Sequence, residues 1–332
     1  MLRDFTAGDP QQTAAGSGYC APYLYLLADD AAEERSQRTV HTKRKLGQVT
    51  RAIRDGRGQG RGDGYSPWIR ITRRFSSPVS NQEFTHLPIH RRSHHFLSTL
   101  ESHTALQLAY LGASELRECL PMWPTPHANP ITDEARDEVP GLIEIAESAG
   151  IEHGVFVGSD VPYIGSLDIM AAIDWAGTVH QVGISCKPTD VLNCSPRAQE
   201  RVDLDRRYCA ALGVRHLHEG GDGFDRTLVK QLEAYRPLRS EVVAYRDTQQ
   251  LLDFCGHFEG NAASMPMHVA IDLSGSRVHA NHDEASLLWR VGVWLRLIDI
   301  DLARPLSMCK PIVRGRDRVL SQLAQRFLGE AA

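Results

Sequence analysis

The feature that most constrains the fold is a pair of strand-like segments joined by a short turn. Residues 163–173 and 178–186 alternate apolar positions and are rich in valine and isoleucine. The sequence Asp-Trp-Ala-Gly at 174–177, which favours a turn, separates them. The sequence therefore predicts a β-hairpin whose side chains alternate between two faces.

The turn fixes which residues of the hairpin meet. If Ala176 and Gly177 form it, the numbers of opposed residues sum to 353, as 176 and 177 do. Asp168 then lies across from Ser185, and Lys187 is a diagonal neighbour on the same face. A loop of odd length or a bulge would separate these side chains.

A third residue completes a set that suits the hydrolysis of phosphodiesters. Glu101 follows Ser98 by three residues, at the start of a predicted amphipathic helix with apolar positions from 105 to 111. Two carboxylates can hold a hard divalent cation, and a lysine beside them can stabilise negative charge on phosphorus oxygens. Plainer interpretations stay open: Ser98 and Glu101 also fit a capping box, and Asp168 or Lys187 could be ordinary strand-end residues.

Several sequence blocks in a fixed order resemble the TnsA endonuclease subunit of heteromeric, TnsABC-type transposons. Together they cover about residues 45–220, and they lie at 53–62, 65–68, 94–101, 116–121, 145–153, 166–168, 184–188 and 203–208. The resemblance implies an α/β protein with a restriction-endonuclease-like, mixed-sheet core. It also implies a smaller, mostly helical, winged-helix-like C-terminal domain.

The same resemblance assigns roles to single residues. It implies that Glu101, Asp168 and Lys187 are catalytic, and that Glu101, Asp168 and Ser185 hold a metal, expected to be Mg²⁺ with Mn²⁺ as the alternative. Ser185 stands where the family usually has a glutamine, whose carbonyl oxygen reaches further than a hydroxyl. Asp205 matches an acidic position and is a candidate for the layer behind the ligands, although an exposed helix charge explains it equally well.

The implied activity is metal-dependent hydrolysis of DNA at the 5′ ends of a transposon, the non-transferred strands, during cut-and-paste transposition. The implied partners are double-stranded transposon-end DNA, a DDE-type transposase that joins the 3′ ends, and a TnsC-like AAA+ ATPase regulator. Two other classes stay open. One is a stand-alone restriction-like or repair nuclease, and the other is an assembly subunit whose catalytic site has decayed, which Ser185 keeps open.

Positive charge is concentrated near the N-terminus. The net charge is -4, yet residues 35–94 contain fourteen lysines and arginines against three acids. This segment is predicted to contact the DNA backbone, with a solvated arm as the alternative. An apolar stripe at Leu46, Val49 and Ile53 predicts that part of it docks as a helix. The candidate DNA contacts are Arg54, Arg57, Arg61, Arg91 and Arg92.

The histidines and glycines in this segment raise the question of a metal site and of a nucleotide-binding loop, and the sequence favours neither. Two arginines interrupt the cluster of His90, His94 and His95, which favours surface or DNA-proximal histidines over a metal site. The glycines between 56 and 64 lack the preceding apolar strand and the following Gly-Lys-Ser/Thr of a nucleotide-binding loop. Close approach to a phosphate backbone is the better interpretation.

Composition favours an intracellular enzyme of two domains. The 332 residues, 42% hydrophobic and 23% charged, can bury a sizeable core, and we find neither an apolar run of membrane length nor a signal peptide. Seven scattered cysteines without a Cys-x-x-Cys pair suggest reduced thiols, so we expect the bacterial cytoplasm and no membrane contact. The expected parts are a flexible extension at 1–44, a nuclease catalytic domain at 45–220 and a partner-binding domain at 221–332.

Two regions carry local expectations. Residues 124–142, with several prolines and acids, are expected to form a surface loop. In the C-terminal part, helices are expected first and a wing strand after them. A basic tail follows, which is interpreted as a solvated helix face, with contact to DNA or a partner as the alternative. These segments are 228–235, 248–258 and 284–295 for the helices, 297–302 for the strand and 310–326 for the tail.

Overall fold

The computed structural model of the protein describes residues 40–72, 82–132 and 137–329. They form a mixed four-stranded sheet with apolar cores on both faces, followed by a helical C-terminal region. Most of the expected N-terminal extension lies outside the described residues, and residues 40–44 begin a helix. None of the described helices is both long and apolar enough to cross a membrane.

The secondary structure changes character near residue 220. The strands are β1 Glu83–His86, β2 Ser93–Phe96, β3 Ala113–Met122, β4 His127–Ala128, β5 Glu138–Val139, β6 Gly165–Trp175, β7 Thr178–Cys186 and β8 Arg215–Glu219. The helices are α1 Val40–Arg54, α2 Thr99–Leu111, α3 Leu142–Ser148, α4 Thr189–Cys194, α5 Pro196–Ala211, α6 Arg226–Tyr235, α7 Arg239–Tyr245, α8 Gln249–Asn261, α9 Met267–Arg277, α10 His282–Trp294 and α11 Arg316–Leu328. From 220 to 329 the described chain has helices and no strand.

The central sheet has the strand order β3-β6-β7-β8, with β8 parallel to β7 and the other pairs antiparallel. Strands β6 and β7 form the predicted hairpin, and Trp175 opposes Thr178 in the register that sums to 353. Ala176 and Gly177 have φ values of 50° and 79°, as a two-residue type I′ turn requires. The predicted hairpin and its register are confirmed.

A large apolar core lies on one face of the sheet and a smaller one on the other. The large core joins the sheet, α2 and the C-terminal helices, and the smaller one includes Leu142 of α3 with Leu204 and Tyr208 of α5. Ten of the thirteen residues of α2 are buried, as expected of a helix surrounded by protein. The C-terminal helices therefore complete the core around α2.

Helix α1 docks through the predicted apolar stripe. Val49 and Ile53 are buried against Trp68 and Trp123, with Leu46 partly buried beside them. Fully burying an aliphatic side chain contributes about 1.5–3 kcal/mol, so two such residues hold the helix on the protein. The docking prediction is confirmed, and the opposite face of α1 stays exposed to solvent.

The C-terminal helical runs predicted from the sequence are confirmed by α6, α8 and α10. The predicted wing strand at 297–302 is wrong, because this segment pairs with no strand. Its isoleucines are buried in the large core, and the Asp301 N–H donates to the carbonyl of Val313. Alternating apolar residues here mark an extended segment that packs one side against helices.

Segment 124–142 is more ordered than the surface loop that we expected. Its described part contains the β4–β5 ladder, and His127, Asn129 and Val139 are buried. Nε2 of His127 lies 2.8 Å from the Tyr208 hydroxyl. The expectation is wrong because polar side chains of this segment find partners inside the protein.

Candidate active site

Glu101 lies in the first turn of α2 and is 4% exposed. Ser98 caps the helix by accepting the Glu101 N–H, and its hydroxyl donates to Oε1 of the glutamate at 2.9 Å. The Leu97 N–H donates to Oε2 at 2.8 Å. Burial and the charge of Asp168 raise the pKa of Glu101 to about 8, although these hydrogen bonds and Lys187 act in the opposite direction. Ser98 therefore caps the helix, but the capping box is incomplete, because the Glu101 carboxylate accepts the Leu97 N–H and not the Ser98 N–H. Capping also does not explain burial beside a second acid.

Asp168 is partly buried on β6, one residue beyond the last pair of the β6–β7 ladder. Its Oδ2 accepts the Cys186 N–H at 2.7 Å, and its Oδ1 has no hydrogen-bond partner among the described residues. Burial and the charge of Asp205 raise its pKa to about 6, against the effects of the Cys186 bond, Arg201 and Lys187. An acid with an open oxygen and a like charge nearby is suited to binding a cation.

Lys187 directly follows β7, and hydrogen bonds fix its backbone on both sides. Its N–H donates to the carbonyl of Glu219 at 3.0 Å, and its carbonyl accepts from Nε2 of His218 at 2.7 Å. In the described part of the chain its ammonium group has no ion pair, and its charge lowers the pKa of both Glu101 and Asp168. The fold brings the three predicted catalytic residues together at the end of the hairpin that faces away from its turn.

Ser185 is buried in a chain of hydrogen bonds. Its hydroxyl donates to Oδ2 of Asp205 at 2.7 Å and lies 2.8 Å from Nε2 of His216. A hydroxyl has one proton to give, so His216 is the donor in the second bond. Arg201 donates to the other oxygen of Asp205 at 2.9 Å. Asp205 is therefore a buried, oriented carboxylate and not an exposed helix charge.

Sequence reasoning missed His216. It lies on β8, two residues before His218 and thus on the same face of the strand. This spacing was a visible signal, but its meaning depends on β8 lying parallel to β7, with His216 beside Gly183. Burial lowers the pKa of His216, which favours the neutral ring that donates through Nε2.

Two residues of the site, Glu101 and Asp168, supply the carboxylate oxygens that a hard divalent cation binds. Among the described residues no group of three or more histidine, cysteine or acidic side chains is arranged to hold a metal. Mg²⁺, however, often uses one or two carboxylates and completes its shell with water and substrate phosphate. Glu101 and Asp168 fit this pattern, because a cation between them would relieve the charge that raises the pKa of Glu101. The hydroxyl of Ser185, the third expected ligand, is already engaged with neighbouring side chains.

Two of the five candidate DNA contacts have partners inside the protein. Arg61 donates to Glu115 at 2.9 Å and to backbone carbonyls. The side chain of Arg92 is 9% exposed and binds both oxygens of Glu118, at 2.6 and 2.8 Å. We do not carry these two arginines forward as DNA contacts. Of the other three candidates, Arg54 and Arg91 are exposed and Arg57 is partly exposed.

His90, His94 and His95 are buried, so the expectation of surface histidines is wrong, while their proximity to DNA stays a prediction. Nδ1 of His94 lies 3.1 Å from Oε2 of Glu118, and Nε2 of His90 accepts a backbone N–H of β3 at 3.2 Å. Burial opposes ionisation of Glu118, but hydrogen bonds from His94 and Arg92 outweigh it and lower the pKa of this carboxyl to about 2. Glu118 with these two partners, here called the Glu118 cluster, fastens β2 to β3.

The C-terminal helix reaches the backbone that positions Lys187. Arg326 of α11 donates to Oε2 of Glu219 through Nε at 2.9 Å and Nη2 at 2.6 Å, and its guanidinium lies 4.5 Å from the centre of the Phe224 ring. Glu219 is the residue whose carbonyl accepts the Lys187 N–H. Other arginines of the tail also pair within the protein, so the tail is not simply a solvated helix face.

Comparison with known proteins adds one relative. No protein-family model matches the chain. The curated protein "Transposon Tn7 transposition protein TnsA" of Escherichia coli is 32% identical to it over 162 residues, which are 48% of this chain and 52% of that protein. The chain thus spans about half the length of the curated relative it matches. Over that half the chain is similar to a TnsA protein, in line with the resemblance carried by its sequence blocks.

Proposed function

We propose that the chain is a TnsA-like, Mg²⁺-dependent DNA endonuclease that cuts the non-transferred strands at the 5′ ends of a transposon. The observation that carries this proposal is the meeting of Glu101, Asp168 and Lys187 at one end of the β6–β7 hairpin. Similarity over about half its length to a protein named for Tn7 transposition supports the biological setting. The mixed sheet would be the core of a restriction-endonuclease-like fold.

Each residue of the site has a part that follows from its surroundings. Glu101 and Asp168 would hold Mg²⁺, which when bound supplies positive charge to the phosphate and acidifies an attacking water. Lys187 is free to stabilise negative charge on the phosphate oxygens, because its backbone is fixed while its ammonium group is unpaired among the described residues. Asp205, held by Ser185, keeps negative charge behind Asp168 and strengthens its attraction for a cation.

The proposed partners follow from cutting one strand at each end. The site in the described residues would hydrolyse the 5′ strand, and we assign the 3′ strand to a DDE-type transposase. A TnsC-like AAA+ ATPase would control both enzymes. The exposed Arg54 and Arg91 and the partly exposed Arg57 would neutralise phosphates of the duplex. Such a reaction takes place on DNA in the bacterial cytoplasm.

Strand-specific cleavage of a labelled transposon end, with Mg²⁺ and the cognate transposase and ATPase, tests the proposal. Asp168→Ala should abolish 5′-strand nicks and leave 3′-strand processing intact, since it removes a metal ligand from the site. Asp174→Ala is the matched control, because Asp174 is exposed near the turn end of the same strand. This control should nick at the normal rate.

Three results would change the assignment. Normal 5′ nicking by Asp168→Ala would remove this residue from the active site. Absence of nicking by the wild type together with normal assembly would favour an assembly subunit whose catalytic site has decayed. The observation that bears on this alternative is the Ser185 hydroxyl, which is engaged with Asp205 and His216. Efficient cleavage by the chain alone would favour a stand-alone nuclease.

A further inference from the structure

A cavity of about 530 Å³ lies between the β1–β2 hairpin and helix α7, with an apolar wall formed by Leu238, Val243 and Ala244. Its polar lining consists of His86, His90, Arg91, Arg239 and Ser240, none of which belongs to the candidate active site. Burial lowers the pKa of His90 to about 4, so this ring is neutral at pH 7. The permanent charges that line the cavity are those of Arg91, which precedes residue 220, and Arg239, which follows it.

Arg239, the first residue of α7, is a partly buried charge in the lining of this cavity. In the part of the chain that the structure describes it makes no ion pair, and its Nε is buried without an acceptor. Burial and the like charges of Arg246 and Arg91 lower its pKa, and Asp63 is the acid that opposes them. Asp63 is already shared, since its carboxylate lies 3.9 Å from Nε of Arg91 and 3.7 Å from Nδ1 of His90. A guanidinium placed among like charges is stabilised when an anion binds.

We infer that this cavity binds a phosphodiester group of duplex DNA, an inference that takes its ligand from the proposed function. A guanidinium binds phosphate oxygens in pairs, and the exposed hydroxyl of Ser240 offers a further donor. Arg91, whose side chain is 74% exposed, opens the cavity to the surface. Because Arg239 follows residue 220, this contact makes the helical C-terminal region part of the DNA-binding surface.

The test measures DNA affinity of the full chain by fluorescence anisotropy between 50 and 200 mM salt. Arg239→Gln should weaken binding to any duplex by about tenfold at the lowest salt, the effect of a hydrogen bond to a charged group. It should also reduce the slope of log affinity against log salt by about 1, as expected for one phosphate contact. Arg239→Lys keeps the charge and should restore the slope, but it should restore the affinity only in part because lysine lacks the paired donors of arginine.

The control is Arg277→Gln, which removes the same charge from an exposed position on α9 outside the cavity. It should leave the slope unchanged, and circular dichroism should show that both variants are folded. An unchanged slope in Arg239→Gln overturns the inference. The inference is also overturned if the slope is unchanged and inorganic phosphate raises the melting temperature of the wild type but not that of Arg239→Gln. That result would indicate a site for free anions.

The two proposals fail in different ways. Normal 5′ nicking with an unchanged salt slope in Arg239→Gln would refute the cavity and leave the endonuclease proposal in place. A reduced slope in Arg239→Gln, with no nicking by the wild type and its partners, would support the cavity and refute the endonuclease. Absence of DNA binding by the wild type would refute both.

Discussion

Burying Glu101, and placing it beside Asp168, should destabilise the metal-free protein at neutral pH. The fold raises the pKa of Glu101 from 4.5 to about 8, so the folded protein holds a proton that the unfolded chain has released. The penalty is absent below pH 4.5 and grows as the pH rises towards 8. At about 1.4 kcal/mol per pH unit it reaches about 5 kcal/mol, which is comparable to the whole stability of a marginal domain.

Two variants separate the causes of this penalty. Asp168→Asn removes the charge that faces Glu101 and keeps the size of the side chain, so the decline in stability with pH should become smaller. It should not vanish, because burial is the larger cause. Glu101→Gln has no proton to release and should remove the decline that this residue causes.

The assay is urea unfolding in EDTA from pH 5 to pH 8, with Asp174→Asn as the control for a charge at the exposed end of β6. The wild type should lose several kcal/mol over this range. Mg²⁺ at one hundred times its dissociation constant should return about 2.7 kcal/mol at pH 8. Equal pH dependence in the wild type and in Glu101→Gln would refute the reasoning.

Two further outcomes test contacts outside the carboxylate pair. Glu118→Gln should lower the free energy of unfolding by about 3–5 kcal/mol in urea at pH 7, because a buried arginine and histidine lose their anion; Glu144→Gln, at an exposed position of α3, should change little. Arg326→Gln should speed amide hydrogen exchange at Lys187 about tenfold. It removes a charge-assisted hydrogen bond to Glu219, whose carbonyl accepts the Lys187 N–H. Exchange equal to that of Arg277→Gln would show that α11 does not support the lysine.

Local sequence signals predicted the parts of the fold that depend on neighbouring residues. The register of the hairpin followed from Ala176 and Gly177, because a two-residue turn fixes every pair beyond it. The start of α2 followed from Ser98, whose side chain supplies the missing acceptor at the helix end. The spacing of Val49 and Ile53 predicted the buried face of α1 for the same local reason.

Contacts between distant segments could not be predicted in this way. An arginine next to histidines has the same sequence pattern whether it faces DNA or a buried acid, and the Glu118 cluster joins residues that lie more than twenty positions apart. The role of Ser185 likewise depends on His216, which lies 31 positions further along the chain and is brought alongside by the pairing of β8 with β7. In the segment 297–302, apolar alternation was misleading because helices replaced the expected partner strand.

Helix α2 is about 20 Å long, at about 1.5 Å per residue. Glu101 lies at one end, and at the other the carbonyl of Leu111 accepts from Nη1 of Arg296 at 2.6 Å. Helices α6 and α11 pack along its length. A displacement of α6 or α11 that carried α2 with it would therefore also move Glu101 relative to Asp168 on β6. The packing of helices outside the site would then set the separation of the two acids.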